Sequence, residues 1–389
     1  MFLNVLVVAT KAPWPPVDGG RFLLKTTLEG LAASGCRMTL VAPVSQDLEE
    51  VSRTLSAWCL PRLVPAAPLP PALALLRSGR APVSIARHSL AAVRREVERL
   101  LGTERFDLIH TEQLQALPQA EPAFSRKIPV VLRAQNVESD LWGATARGTG
   151  GLQGLLLQRE AKRLAAWEGR AVRRVAATLA LTREDASRLR ELSGGGGNVK
   201  VVPAPFPDLP ASPHRLAGDP AVVVFGSRGW LPNEESAAWF HDEVWPVIRA
   251  LLPGAVLHLF GVGLPASGPS VVLHPAPTDS SEAFAPGSIL AVPLRIASGV
   301  RIKILEAWAR GVPVVATPAA LAGLDTREGS EALAAKDATE FAAALARLHE
   351  EPGLREQLVE AGRQARRERH DPSQIASRLL TEYEAVLGS

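Results

Sequence analysis

The sequence predicts an α/β protein with two Rossmann-like, doubly wound domains that face each other across a cleft. The chain has 389 residues, more than one typical domain contains. In both halves, short apolar runs alternate with amphipathic helical segments, the pattern of parallel strands covered by helices. Between the halves, Pro203–Pro220 holds six prolines and little periodicity, as an interdomain linker does. Because such sheets bind ligands beyond the carboxyl ends of their strands, we expect a site in the cleft.

The elements of the first half follow from the period of the apolar residues, which is near two in strands and near 3.6 in helices. The predicted strands are Leu3–Thr10, Arg37–Pro43, Phe106–His110, Pro129–Arg133, Ala176–Leu181 and Val199–Pro203. The predicted helices include Arg21–Ser34, Ser84–Leu101, Leu152–Arg174 and Arg183–Leu192.

The second half repeats the alternation and ends in three helices. Its predicted strands are Ala221–Ser227, Ala255–Gly261, Ser270–Leu273, Ser288–Leu294 and Pro313–Thr317. Its predicted helices are Glu234–Leu252, Gly299–Arg310, Ala338–Glu350, Leu354–Arg369 and Pro372–Leu387. We therefore expect domains at 1–203 and 221–371, a linker at 204–220, and a helix at 372–389 that packs back on the first domain.

Composition excludes several classes of protein. With 47% hydrophobic and 21% charged residues, the chain is too apolar for intrinsic disorder. The two cysteines, Cys36 and Cys59, match neither a disulfide framework nor a zinc cluster, which favours a reduced, cytoplasmic setting. The first apolar run has no basic leader or cleavage site, and no apolar stretch approaches the ~18 residues of a membrane span.

The net charge of +3 is unevenly distributed. Residues 1–205 carry 27 Lys and Arg against 18 Asp and Glu, and the remaining residues carry 16 against 22. A basic first half is suited to an anionic surface or acceptor. Nucleic acid is not expected as a partner, because the aromatic and basic stripes of nucleic-acid modules are missing.

The most informative segment lies between two predicted strands of the second half. Ser298 is a suitable N-cap for a helix that begins at Gly299, Gly311 ends that helix, and Pro313 opens the next strand. A helix N-terminus presents free N–H groups and the positive end of the helix dipole, which together favour an anion such as a diphosphate.

Charged residues strengthen this prediction of an anion site. Arg301 and Lys303 lie beside the helix N-terminus, and Glu306 lies on the third turn, where one carboxylate can accept two ribose hydroxyl hydrogen bonds. The alternative is an exposed pattern of i,i+3 and i,i+4 charges that includes Arg310. Spacing alone leaves both interpretations open.

This segment resembles the donor site of GT-B-type retaining glycosyltransferases, specifically family 4 (group 1). Leu305–Ala307 and Gly311–Val315 match the family pattern, which has two glutamates separated by seven residues. Ser298 stands in place of the first glutamate, which is the one expected near the sugar hydroxyls. One branch of the family reads Gly-x-Arg-x-Lys-x-Leu-Glu-Ala, and here Gly299, Val300, Arg301, Lys303 and Glu306 fit that reading as donor-binding residues.

Three further segments extend the resemblance over essentially the whole chain. Pro13–Arg21 is similar to the family's first loop, where Gly19 and Gly20 would let the backbone approach the donor. Pro129–Glu138 resembles a strand-end motif that reads His-Asn-Val-Glu in this branch. In Val224–Asn233, the resemblance implies that Arg228 contacts the diphosphate.

The strand-end motif departs from the family at one position. Gln135 stands where the branch has histidine, so no acid/base role is available there, and Gln135, Asn136 and Glu138 are expected on the acceptor side. His110 and Glu112 follow another strand, and we expect them at the cleft rim as candidate catalytic residues. Their alternative is a capped strand end with solvated side chains.

The resemblance implies transfer of a hexose or deoxyhexose from a nucleoside-diphosphate sugar to a hydroxyl acceptor, with retention. No two aspartates stand two apart, so we expect no Asp-x-Asp metal clamp and no metal or other cofactor; no phosphate-binding P-loop is present either. A nucleotide-sugar epimerase of the same architecture, or a non-catalytic nucleotide-sugar-binding relative, is the alternative.

The acceptor side also carries a basic stretch. Leu75–Arg99 holds six arginines against two glutamates, interleaved with leucines and valines. Such a surface can lie on an anionic membrane, which would suit a lipid-linked acceptor at the inner face. A solvated helix face in an arginine-rich protein is the alternative.

Overall fold

The structure, a computed structural model, describes residues 3–45, 47–79, 81–226, 231–263, 268, 270–277, 279–295, 299–327 and 329–388. These residues form two compact units. Unit 1 contains the described residues of 1–205, 298–300 and 372–389, and unit 2 those of 206–297 and 301–371.

Unit 1 contains a seven-stranded parallel sheet. Its strands are β1 (Asn4–Ala9), β2 (Arg37–Val44), β3 (Leu60–Pro65), β4 (Leu108–Glu112), β5 (Val130–Ala134), β6 (Ala177–Ala180) and β7 (Val199–Val201). Its first nine helices are α1 (Gly19–Ala33), α2 (Leu48–Leu55), α3 (Pro71–Arg77), α4 (Val83–His88), α5 (Ala91–Thr103), α6 (Glu121–Ser125), α7 (Glu138–Gly148), α8 (Gly151–Arg174) and α9 (Arg183–Leu192). The strand order is β3-β2-β1-β4-β5-β6-β7, so the winding direction reverses between β1 and β4.

Helices cover both faces of this sheet. Val5 and Val7 of β1 belong to one buried cluster, which includes leucines of α1, whereas Leu6 and Val8 belong to a second cluster with apolar residues of α5. Since successive side chains of a strand point to opposite faces, two buried clusters on one strand are the mark of a doubly wound sheet.

Unit 2 contains a six-stranded parallel sheet in the order β10-β9-β8-β11-β12-β13. Its strands are β8 (Ala221–Phe225), β9 (Val256–Phe260), β10 (Val271–His274), β11 (Ile289–Val292), β12 (Val314–Ala316) and β13 (Leu333–Ala334). Its helices are α10 (Leu231–Trp239), α11 (Trp245–Leu251), α12 (Ile302–Arg310), α13 (Pro318–Leu321), α14 (Ala338–Glu350) and α15 (Pro352–His370). This order again reverses next to the first strand, between β8 and β11, and places their carboxyl ends at the switch point.

The last helix, α16 (Pro372–Leu387), belongs to unit 1 and packs on α1. The two helices approach closely at Gly30, where a Cβ would meet the carbonyl oxygen of Pro372 at 3.0 Å. Leu379 and Tyr383 of α16 are fully buried in the same cluster as the α1 leucines. The C-terminal segment is therefore part of the first core.

The predicted class, two parallel α/β domains, is confirmed, while several element bounds differ. The segment Ser84–Leu101 is two helices, α4 and α5, because Ser89 and Leu90 leave the helical conformation. The segment Glu234–Leu252 is interrupted by a π-helical turn at Phe240–Val244. β3 was not predicted; it is a half-buried edge strand that contains prolines, which only edge strands tolerate.

Candidate functional site

The first loop of unit 1 connects β1 to α1 and is fixed by Asp18. The carboxylate of Asp18 caps α1 by accepting from the N–H of Arg21 at 3.0 Å, and the Nζ of Lys11 donates to it at 2.7 Å. Burial raises the pKa of this carboxyl, but Lys11 and Arg21 outweigh that effect and hold it below its ordinary value. Gly19 is exposed at the start of the helix, and a Cβ on Gly20 would lie 2.9 Å from Oε1 of Gln135. The loop thus lies directly against the end of β5, as only glycine allows.

A chain of side-chain hydrogen bonds joins the carboxyl ends of β1, β4 and β5. The hydroxyl of Thr10 donates to Oε1 of Gln113 at 2.6 Å, and Nε2 of Gln113 donates to Oε1 of Gln135 at 2.8 Å. Nε2 of Gln135 in turn donates to Oε1 of Glu112 at 2.8 Å. Gln135, which replaces the family's histidine, is therefore held in one orientation from both sides.

The chain continues into the core through His110. Its Nε2 lies 2.9 Å from Oε2 of Glu112, and its Nδ1 lies 2.6 Å from the hydroxyl of Tyr383 on α16. Both ring nitrogens of His110 are therefore engaged, one by a carboxylate and one by a hydroxyl. His110 and Glu112 are only 1% and 2% exposed, so the rim position and the solvated alternative are both wrong for them. Glu112 contacts Gln135, and His110 contacts Glu112 from the core side.

Arg133 neutralises this buried cluster. It is fully buried, and its Nη2 donates to the carbonyl oxygen of Pro203 at 2.8 Å. Burial lowers the pKa of the guanidinium, and the Glu112 carboxylate opposes that effect. An arginine on β5 that faces the Glu112 carboxylate was not predicted from the sequence.

The strand-end motif after β5 is fixed by a second buried carboxylate. Glu168 of α8 accepts from the backbone N–H groups of Glu138 at 2.6 Å and Ser139 at 3.0 Å, so it caps α7. Burial raises the pKa of Glu168 to about 7. Burial also raises the pKa of Glu138, against hydrogen bonds from Gln115 and Asn136. Sequence reasoning missed Glu168 because it lies about thirty positions from the motif.

A cavity of about 460 Å³ opens in unit 1 beside the first loop. Lys11 and Arg21 supply its positive charge, Trp14 an aromatic face, and Gln113 and Gln115 amide groups; among the residues that the structure describes, no carboxylate lines it. Its lining residues are Thr10, Lys11, Ala12, Trp14, Pro15, Val17, Arg21, Pro43, Val44, Ser45, Val51, Ala66, Pro68, His88, Gln113 and Gln115. The cavity suits a polar or anionic ligand with an apolar side.

The helix of the predicted anion segment begins later than the sequence suggested. α12 starts at Ile302 with Arg301 as N-cap residue, and Gly299 has a positive φ of 72°. The predicted start at Gly299 is wrong, since a left-handed residue cannot open a right-handed helix. Gly299 is buried and Val300 half-buried, while Ser298 lies outside the described residues. Gly311 ends the helix in the left-handed conformation, as predicted.

Lys303 of unit 2 is a lysine whose pKa is strongly lowered by its surroundings. Its Nζ donates to the backbone carbonyl of Phe225 at 2.5 Å and lies 3.3 Å from Oδ1 of Asn233, which places the ammonium at the carboxyl end of β8. Burial and the nearby guanidinium of Arg301 lower the pKa of Lys303 to about 7. Arg228, in the loop that follows β8, lies outside the described residues.

Glu306 lies one turn further along α12 in a polar cluster. Its Oε1 accepts from Oγ of Ser280 at 2.6 Å and from Nε of Arg310 at 3.0 Å. Burial raises the pKa of Glu306, and these two bonds oppose the increase. Arg301 and Glu306 are 6% and 7% exposed, so the exposed-charge alternative fails, although the expected i,i+4 pair with Arg310 exists.

The second oxygen of this carboxylate is the one that a ligand can use. Oε2 of Glu306 accepts no hydrogen bond from any described residue, whereas Oε1 is engaged twice. Among the same residues, no group of three His, Cys, Asp or Glu side chains is arranged to hold a metal ion.

Two family models match the two units in chain order. The model of the glycosyl transferase 4-like domain matches residues 24–207, and the model of glycosyl transferases group 1 matches residues 220–351, which include Arg301, Lys303 and Glu306. The chain therefore consists of a glycosyl transferase 4-like domain followed by a group 1 glycosyl transferase domain. No curated protein matches its sequence.

Solved structures confirm the GT-B type of fold. A sucrose-phosphate synthase from Thermosynechococcus elongatus is 15% identical, with a TM-score of 0.69 and full coverage of both chains. HepE from Anabaena, in complex with UDP-glucose, is 16% identical, with a TM-score of 0.63 over 98% of this chain and 100% of that chain. A glycosyltransferase from Rickettsia africae is 10% identical, with a TM-score of 0.62 over 99% and 98% of the two chains.

Proposed function

We propose that this glycosyltransferase moves a hexose or deoxyhexose from a nucleoside diphosphate to a hydroxyl acceptor, with retention, in polysaccharide, glycolipid or glycoconjugate synthesis. The observation that supports the proposal most strongly is the environment of the Lys303 amine, which lowers its pKa. Its ammonium is bonded to neutral oxygens, and burial beside Arg301 lowers its pKa to about 7. A phosphate anion placed there restores the charged form, so the group is prepared for an anion.

The diphosphate would bind Arg301, Lys303 and the free N–H groups at the start of α12. The ribose would bind Oε2 of Glu306, whose orientation is set by Ser280 and Arg310. HepE supports the donor class, since that protein has been solved with UDP and with UDP-glucose.

In the proposed reaction, the bond between the anomeric carbon and the phosphate oxygen breaks, and the acceptor oxygen bonds to the same face of that carbon. The acceptor proton passes to the departing phosphate oxygen, so no protein base is needed. The charge that develops on the diphosphate is balanced by Arg301 and Lys303 rather than by a metal. The burial of His110 and Glu112 fits a reaction without a protein base.

The acceptor would enter from unit 1 through the cavity beside the first loop. Trp14 offers a face on which a sugar ring can stack, and Lys11 and Arg21 favour an acceptor that carries negative charge. Gln135, held by Gln113 and Glu112, would hydrogen-bond the acceptor at the position where relatives have histidine.

Two alanine variants test the donor site. Arg301→Ala and Lys303→Ala each remove a charge-assisted hydrogen bond worth about 1.5 to 3 kcal/mol, so nucleoside-diphosphate affinity should fall tenfold or more. Calorimetric titration with UDP, GDP, TDP and ADP measures the loss and identifies the base. Lys336→Ala, at an exposed lysine of unit 2, is the matched control. Equal binding by wild type and both variants would overturn the assignment.

A further inference from the structure

We propose that unit 1 docks on an anionic lipid bilayer through two groups of exposed leucines, here called the leucine surface. Docking would set where in the cell the protein works, separately from the transfer reaction. The leucine surface consists of Leu73, Leu75 and Leu76 on α3 and Leu152, Leu155 and Leu156 on α8.

These leucines are unusually accessible for an apolar side chain. Leu76 is 83% exposed, Leu152 74% and Leu155 69%. Leu152, Leu155 and Leu156 have the i, i+3, i+4 spacing of one helix face. On the other side, α8 packs tightly: a Cβ on Gly154 would lie 2.0 Å from the carbonyl oxygen of Thr149. Clustered exposed leucines of this kind mark an interaction surface.

The helices that carry the two groups are joined at one junction in unit 1. Arg163 of α8 donates from Nη2 to the carbonyl oxygen of Ala81 at 2.8 Å and also bonds the carbonyl oxygen of Ser78. Glu160, one turn earlier, accepts from the N–H of Val83 at 2.9 Å. α8 therefore holds the turn that connects α3 to α4. Along the chain, Leu76 lies two residues before that turn, and Leu156 lies one helical turn before Glu160.

Charge decides which partner fits. Residues 51–95 contain seven arginines and no Asp or Glu, and residues 141–159 contain two arginines and no Asp or Glu. Arg77, Arg87, Arg147 and Arg159 are exposed. Leucines bordered by cations match the headgroups and acyl boundary of an anionic bilayer, whereas two copies of this chain meeting here would bring like charges together.

Docking would be peripheral, and the apolar residues that contact lipid differ from those that the sequence suggested. Within the described parts of the chain, no helix has the length and apolar character needed to cross a bilayer. The valines and leucines of α5, including Val93, Val97 and Leu100, are buried in the core and are not available to lipid. Arg80 of the predicted basic stretch lies outside the described residues. The apolar contact therefore belongs to α3 and α8.

Sedimentation with vesicles tests the proposal. Wild type should pellet with phosphatidylglycerol-containing vesicles at low salt, and much less with pure phosphatidylcholine or at high salt. The double change Leu75→Ser and Leu76→Ser should lower the partition coefficient at least tenfold. Arg77→Gln and Arg87→Gln should lower it roughly fivefold each.

Matched controls distinguish the leucine surface from exposed leucines and arginines elsewhere in the protein. Leu251→Ser, at a leucine of unit 2 that is 53% exposed, and Arg378→Gln, at an exposed arginine of α16, should sediment like wild type. All variants should bind nucleoside diphosphates normally, so a failure of docking is distinct from a failure of the proposed reaction.

Three results would overturn the proposal. The first is a wild type that stays in the supernatant with anionic vesicles at low salt. The second is vesicle binding that the leucine variants leave unchanged. The third is a concentration-dependent dimer that Leu75→Ser and Leu76→Ser dissolve, which would assign the leucine surface to a second copy of this chain.

Discussion

Binding of a nucleoside diphosphate should take up a proton through Lys303. The pKa of this lysine is lowered to about 7 in the free protein, so at pH 8 about nine-tenths of the molecules carry it neutral. A bound diphosphate raises the pKa back toward its ordinary value of 10.5, so the amine becomes almost fully charged at pH 8. The ligand releases no compensating proton, since the last phosphate ionisation, near pH 6, is already complete. The expected uptake at pH 8 is about 0.9 proton per site.

Calorimetry in two buffers of different ionisation enthalpy at pH 8 measures this uptake directly. Lys303→Arg should bind nucleotide with no uptake at this site, because a guanidinium is charged at every accessible pH. Lys336→Arg is the matched control, since Lys336 is exposed and paired with Glu340, and it should behave as wild type.

The sign of the pH dependence follows from the same linkage. Since the bound form holds one more proton, affinity should fall as pH rises above about 7, by up to tenfold per pH unit. A wild type without uptake, or Lys303→Arg with the wild-type uptake, would refute the reasoning and remove Lys303 from the diphosphate site.

Three other predictions concern the ribose contact of Glu306, the buried carboxyl group of Glu168 and the expected independence from a metal ion. Glu306→Gln should weaken nucleoside diphosphates more than pyrophosphate, which lacks the ribose hydroxyls; titration with both ligands decides, and a parallel loss would mean a structural role. Burial raises the pKa of Glu168 from 4.5 to about 7, so this carboxyl stabilises the fold at low pH and loses about 3 kcal/mol of that contribution as pH rises from 4.5 to 7. Glu168→Gln should flatten the pH dependence of urea unfolding over this window, and an unchanged slope would contradict the assignment. Transfer should survive excess EDTA, whereas loss that magnesium or manganese restores would contradict charge balance by Arg301 and Lys303.

The sequence predicted what depends on local pattern. The apolar run that begins at Ala221 contains the buried strand β8, and Arg301, Lys303 and Glu306 lie at the N-cap and in the first half of α12. The predicted bounds of the elements were less accurate, because they depend on the backbone conformation of single residues. Gly299 has a positive φ, so α12 begins at Ile302 and not at Gly299.

Contacts between distant residues could not be predicted. His110 meets Tyr383 across 273 positions, and Glu306 meets Ser280 across 26. Burial of His110 and Glu112 followed from α16 covering that face of the sheet, which no local signal near β4 reveals. The same helix accounts for the error in placing both side chains at a rim.

The stereochemistry of donor cleavage tests the central claim most directly. Without an acceptor, water should slowly hydrolyse the donor, which is tested as UDP-, GDP-, TDP- or ADP-glucose. Proton NMR resolves the anomer of glucose that forms first, before mutarotation. We predict release of the nucleoside diphosphate with α-glucose appearing first from an α-linked donor, and loss of this activity in Lys303→Ala. Appearance of β-glucose first, or of an epimerised nucleotide sugar, would contradict retaining transfer.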